Sequence, residues 1–175
     1  GEVLQTGRID TNTLVDVFVK LHIHNDQFLK ESFNYEALKL VENKIQYKNI
    51  EASHILFAEG FGLKQNPFFN YLPLNGTKGE LLTIHAPDLK IDYVLKSSVF
   101  LIPLGDDLYC VGATYEWEDK SNNITEKGKD ELLSKLKTFL KCDFKLINQV
   151  AGIRPTVIDR RPLVGVHPKY QNLAI

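Results

Sequence analysis

The residues best suited to chemistry gather near the C-terminus. The sequence carries four arginines against seventeen lysines, and three of the four stand at positions 154, 160 and 161. Arginine grips a carboxylate or phosphate through a planar, two-pronged set of donors that lysine lacks. Arg154 is the sharpest case. It lies in Gly152-Ile153-Arg154-Pro155, where a glycine before and a proline after constrain the backbone. Such a place suits an aimed guanidinium better than a loosely solvated one. An arginine paired with Asp159, or capping backbone carbonyls, fits the same spacing, so the residues alone leave both readings open.

Other patterns point to less. Gly60 and Gly62 resemble half of a phosphate-binding loop, but the third glycine is missing and Pro67 soon interrupts any helix. A strand-to-loop turn is the better reading. Neither a full GxGxxG nor a GxxxxGK(S/T) occurs, so no complete nucleotide-phosphate site is encoded. The five histidines are scattered. His22 and His24, two apart on an expected helix, point away from each other and make poor joint metal ligands. Cys110 and Cys142, without a CxxC or a His/Cys cluster, make neither a zinc site nor a disulfide framework, and no metal is expected. Ser53 and Ser98 lack the GxSxG elbow of serine hydrolases. No side chain is singled out as catalytic. The aromatics Phe100, Tyr109, Tyr115 and Trp117 either pack across strands or wall a pocket.

These residues need a scaffold, and 175 residues suffice for one domain with a sizeable core. The hydrophobic share of 43% and charged share of 25% are globular values, which excludes disorder and collagen-like repeats. A net charge of −1 recruits neither nucleic acid nor an anionic membrane. No apolar run approaches the roughly 18 residues of a spanning helix, and the N-terminus does not resemble a signal peptide. A reducing, cytoplasmic setting is the default expectation. Methionine is absent altogether, and Asn172-Leu173-Ala174-Ile175 reads as the opening of a strand. Both features suggest a piece of a larger protein.

Periodicity and turn residues predict the elements. Thr11 or Thr13 can cap a helix with Leu14, Phe18 and Leu21 on one face. Asp26 to Phe33 and Ala37 to Val41 read as strands, with a turn at Glu42-Asn43-Lys44 into Ile45 to Tyr47. Ser53 to Ala58 is nearly all apolar and predicts a central strand buried on both faces. Asn66 to Pro73 is irregular, and Gly79 to His85 returns to strand. Ser97 to Leu104 and Leu108 to Thr114, joined through Gly105-Asp106-Asp107, form a hairpin. Thr125 caps a helix running to about Cys142, and Asp143 to Gln149 is another strand. The order predicts an α+β fold, a largely antiparallel or mixed sheet flanked by helices.

Five segments, taken in order, resemble the flavin-dependent amine and amino-acid oxidoreductases typified by glycine oxidase and D-amino acid oxidase. They are Gly7-Arg8-Ile9-Asp10-Thr11 with Leu14; His54 to Gly60; Pro73 with Lys78-Gly79-Glu80; Phe100-Leu101-Ile102-Pro103 with Val111-Gly112-Ala113-Thr114; and Gly152-Ile153-Arg154-Pro155 with Asp159, Arg161-Pro162 and Gly165. The resemblance implies that residues 1–175 form a single substrate-binding domain of a larger FAD-dependent oxidoreductase. The Rossmann part that binds FAD, with its N-terminal GxGxxG and a glycine-rich segment expected after Ile175, lies outside the sequence.

The resemblance also implies roles. Arg154 would hold the substrate carboxylate, and Phe100 and Tyr115 would wall the pocket. Ala58, Gly60, Gly152 and Ile153 would bring backbone close to the flavin ring. The substrate, an amine or amino acid, would lose its Cα hydrogen as hydride to FAD, with no side-chain base required. Phe100 stands where glycine oxidase has a tyrosine, which removes a hydroxyl and points away from glycine as substrate. The rival reading is a binding domain that kept the fold without redox chemistry. A flavoenzyme domain fused to a nucleic-acid-modifying partner is a lesser third, and the neutral charge gives it no support.

Overall fold

The computed structural model describes residues 2–5, 7–42 and 44–175. Residues 1–38 and 39–175 form two compact units. The first holds α1 (Thr11–His24). Its cap is Asp10 rather than Thr11 or Thr13. Oδ1 of Asp10 accepts from the N–H of Asn12 at 3.0 Å and of Thr13 at 3.2 Å, so one carboxylate satisfies two orphan donors. No strand forms over 26–33; Asp26 takes a left-handed φ of 54° directly after the helix. The turn expected at Glu42-Asn43-Lys44 includes Asn43, which lies outside the described residues.

Strands β1 (Leu38–Val41), β2 (Lys44–Tyr47) and β3 (Ile50–Ala52) make a small sheet in that order. Beyond them, β4 (Ile55–Leu56) runs parallel to β10 (Leu173–Ala174). The expected strand over Ser53 to Ala58 is therefore cut to two residues. Its burial on both faces is also wrong, since Leu56 is 67% exposed and β10 is its one strand partner among the described residues.

The main body is a five-stranded antiparallel sheet of β5 (Thr77–His85), β6 (Leu95–Lys96), β7 (Phe100–Gly105), β8 (Leu108–Gly112) and β9 (Lys145–Arg154), in the order β6-β7-β8-β5-β9. The hairpin forms as expected, with Gly105, Asp106 and Asp107 all at positive φ in its turn. Alternation along the strands gives the sheet two unlike faces. Leu82, Ile84, Leu101, Tyr109 and Val111 point one way and bury against Leu132 and Leu136 of α2 (Glu126–Lys137). Thr125 caps α2 as expected, but the helix ends at Lys137 rather than near Cys142. Strand β9 is longer than predicted. It runs through Gly152-Ile153-Arg154, so the arginine motif lies on the sheet rather than after it. The fold is thus α+β with an antiparallel main sheet. No helix among the described residues is long and apolar enough to cross a membrane.

Candidate functional site

Register places the key arginine. Strand β9 pairs with β5 so that Arg154 opposes Thr77 and Gly152 opposes Gly79. Arg154, Gly152 and Val150 therefore share the face turned away from α2 with Gly79 and Leu81. The Arg154 guanidinium lies directly over Gly79, where a Cβ would overlap its Cζ and both terminal nitrogens. Its Cζ stands 4.8 Å from the centroid of the Tyr115 ring. Nη1 donates to the carbonyl of Thr114 at 3.3 Å. Asp159 is not its partner: that carboxylate accepts from the Arg161 N–H at 3.1 Å and faces the Arg161 side chain at 4.0 Å. Of the alternatives the spacing leaves open, a carbonyl contact is present, and it engages one of the guanidinium's five donors.

The segment presenting Tyr115 is fixed from below. The N–H groups of Lys78 and Glu116 each donate to the other's carbonyl at 2.9 Å. The Lys78 side chain is 1% exposed and ion-pairs with Asp119. That ammonium, with the Ser121 N–H, holds the Asp119 carboxyl down at about 2. Lys120 donates to the Gly76 carbonyl at 2.9 Å.

A cavity of about 720 Å³ opens beside Tyr115. It lies beyond the carboxyl ends of the parallel pair β4 and β10, the usual place for ligands on parallel strands. Leu56 to Gly60 and Ile175 form one side, and 155–157 with 160–164 form the other. Ala58 and Gly60 both line it. Gly60 takes a φ of +56° and has no heavy atom within 4 Å of where a Cβ would stand. The expected turn at Gly60-Phe61-Gly62 is a short 3₁₀ helix, Gly60–Gln65.

The remaining expected residues scatter. Phe100 lies on the Arg154 face, but in the row of Gly112, Leu81 and Val150, four residues back along β9. Its ring covers Gly112, where a Cβ would stand 2.6 Å from the Phe100 Cζ. Ile153 alternates to the opposite face, against Gly76 and away from Arg154. Of the expected pocket residues, Tyr115 touches both the arginine and the cavity; Thr156 also lines the cavity and donates its N–H to the Arg154 carbonyl at 2.9 Å. Several lining residues escape the sequence reading, Glu59 and Thr156 among them. Glu59 lines the cavity beside Ala58 and Gly60, with Thr156, Arg160 and Arg161 also in the lining, and its carboxylate accepts from the buried Asn66 amide at 2.7 Å. Its only signal is an acid between Ala58 and Gly60 at the end of an apolar run. Among the described residues, no group of three or more His, Cys, Asp or Glu could hold a metal.

The pattern of the DAO family, FAD dependent oxidoreductase, matches residues 31–175. The chain belongs to this family. Glycine oxidase of Bacillus subtilis is 29% identical over 128 residues, 69% of this chain and 34% of that protein. A bifunctional protein of tRNA 5-methylaminomethyl-2-thiouridine biosynthesis from an Azoarcus species is 31% identical over 130 residues, 71% of this chain and 20% of that protein. In structure, iminodiacetate oxidase from a Chelativorans species superposes with a TM-score of 0.73 at 22% identity, covering 96% of this chain and 49% of that one. Glycine oxidase from Geobacillus kaustophilus gives 0.60 at 19% identity, over 75% of this chain and 38% of that one. This DAO-family chain thus spans between a fifth and a half of the length of these relatives.

Proposed function

We propose that this DAO-family chain supplies the substrate-holding surface of a flavoenzyme that oxidises an amine or amino acid, with Arg154 gripping the substrate carboxylate. The observation that carries the reading is the Arg154 guanidinium seated against Gly79, on a sheet face turned away from the core, with one donor on Thr114. Such a fork, held in place by its surroundings, favours a planar two-oxygen partner. Glycine and iminodiacetate, which the relatives' names mention, are small amino carboxylates of the class such a fork would hold.

The residues also fit the ring end of FAD. At Gly152 and Gly60 a Cβ would meet no heavy atom within 4 Å, so bare backbone is open to a flat ring. Ala58 and Tyr115 would border that ring from the cavity, and Phe100 would wall the same sheet face further along. FAD, when bound, supplies the hydride acceptor. The chain's own part is orientation: Arg154 fixes one end of the substrate, and Tyr115 bounds the space beside it. No side chain is assigned as a base.

The test uses the full-length protein with FAD bound. It compares a small α-amino carboxylate with its decarboxylated amine by anaerobic flavin bleaching. Arg154→Ala is expected to lower kcat/KM for the carboxylate by about 30- to 1000-fold, roughly 2–4 kcal/mol of transition-state binding. The amine, poor for the wild type, should be almost unaffected, and the flavin spectrum unchanged. Equal loss on both substrates, or loss of FAD, would make Arg154 structural.

A further inference from the structure

The geometry points to Gly79 as a positioning residue: its missing side chain leaves the space in which the Arg154 guanidinium rests beside the Tyr115 ring. This deepens the reading of Arg154 as carboxylate ligand and rests on it. A Cβ at Gly79 would overlap Cζ, Nη1 and Nη2 together. The encroachment on all three atoms means that the fork end of the guanidinium occupies the space that a side chain at 79 would fill. The Tyr115 ring is a second neighbour, its centroid 4.8 Å from Cζ. Nη1 is tethered by donating to the Thr114 carbonyl at 3.3 Å.

The consequence is specific to glycine. Any other residue at 79 would put its Cβ where the guanidinium now rests. The obstructing atoms are the tip of a flexible side chain, so the guanidinium would give way while the β5–β9 ladder survived. A displaced guanidinium keeps its charge and loses its aim. A planar fork meets both oxygens of a carboxylate only when the two planes align, so aim decides the bidentate contact. Gly79 has no conformational need to be glycine, since its φ lies outside the left-handed region and it sits mid-ladder opposite Gly152. The space above it explains the residue.

The experiment is Gly79→Ala in the full-length protein with FAD bound. KM for a small α-amino carboxylate is expected to rise by about 10- to 100-fold. Activity toward the decarboxylated amine and the flavin spectrum should stay at wild type. In an Arg154→Ala background the same substitution should add nothing, because it acts through the guanidinium. If Arg154→Ala leaves carboxylate kinetics normal, the reading of Arg154 fails. If that reading stands but Gly79→Ala keeps a wild-type KM, or its loss adds fully to that of Arg154→Ala, the role of Gly79 fails. Should the Gly79 variant not fold, Tyr115→Leu decides, since it removes the ring and leaves the sheet untouched. A smaller KM rise, again absent in the Arg154→Ala background, supports the arrangement, and an unchanged KM overturns it.

Discussion

Glu80 and Thr125 hold each other across 45 residues: the Thr125 hydroxyl donates to Oε1 at 2.6 Å and its N–H to Oε2 at 3.0 Å. Gln149 Nε2 donates to the same carboxylate at 2.6 Å. One buried side chain thereby joins β5, the start of α2 and β9. It pins β9 beside β5 in the register that brings Arg154 over Gly79.

Glu80→Gln should therefore destabilise the fold despite its similar shape. The amide loses the charge-assisted bonds and turns an NH₂ toward donors that need an acceptor. A loss of about 2–3 kcal/mol is expected from urea unfolding. A loss below about 0.5 kcal/mol, the range of neutral surface changes, would show that the triad holds little.

Gly128→Ala tests the same contact from the helix. Intrinsic propensity alone would make alanine stabilising in α2 by up to about 1 kcal/mol. Here a Cβ would stand 2.5 Å from Oε1 of Glu80, whose carboxylate is held by its three donor bonds. The expected sign is reversed, with a lower Tm in the alanine variant. A raised Tm would mean that the carboxylate yields easily.

Acid should weaken the chain in a defined window. Burial pushes the Glu80 carboxyl up, but the Thr125 hydroxyl and N–H and the Gln149 amide together carry it below its ordinary value of 4.5. Asp119 is drawn from 3.8 to about 2 by Lys78 and Ser121. Both values are depressed in the folded state, so both groups contribute stability that is full above the unfolded values. It declines as pH falls through the folded ones. Unfolding free energy should fall from about pH 4.5 downward, and Asp119→Asn should flatten the part between about pH 4 and pH 2. An unchanged slope in that variant would count against the Lys78 pairing.

What the sequence determined by itself is mostly local. The 100–112 hairpin follows from Gly105-Asp106-Asp107, because residues that accept positive φ fix a turn whatever surrounds it. The Thr125 cap follows from a hydroxyl three residues before the N–H it satisfies. Four of the five ordered motifs lie within the residues that the family pattern matches, and each is short enough to be read without its neighbours.

Tertiary structure decided the rest. Ser53 to Ala58 is apolar enough for a buried strand, yet ladder length depends on a partner, and only β10 pairs with it among the described residues. Composition cannot say which of Asp10, Thr11 and Thr13 caps α1, because the choice turns on where the backbone first becomes helical. The Arg154 site is the clearest case. Gly79 and Arg154 are 75 residues apart in the sequence, and they meet only because the β5–β9 ladder is antiparallel in one register. A slip by one residue would turn the guanidinium to the α2 face. The sequence names the arginine, while its seat on Gly79 and its contact with Tyr115 come from strand pairing, which no local pattern of residues encodes.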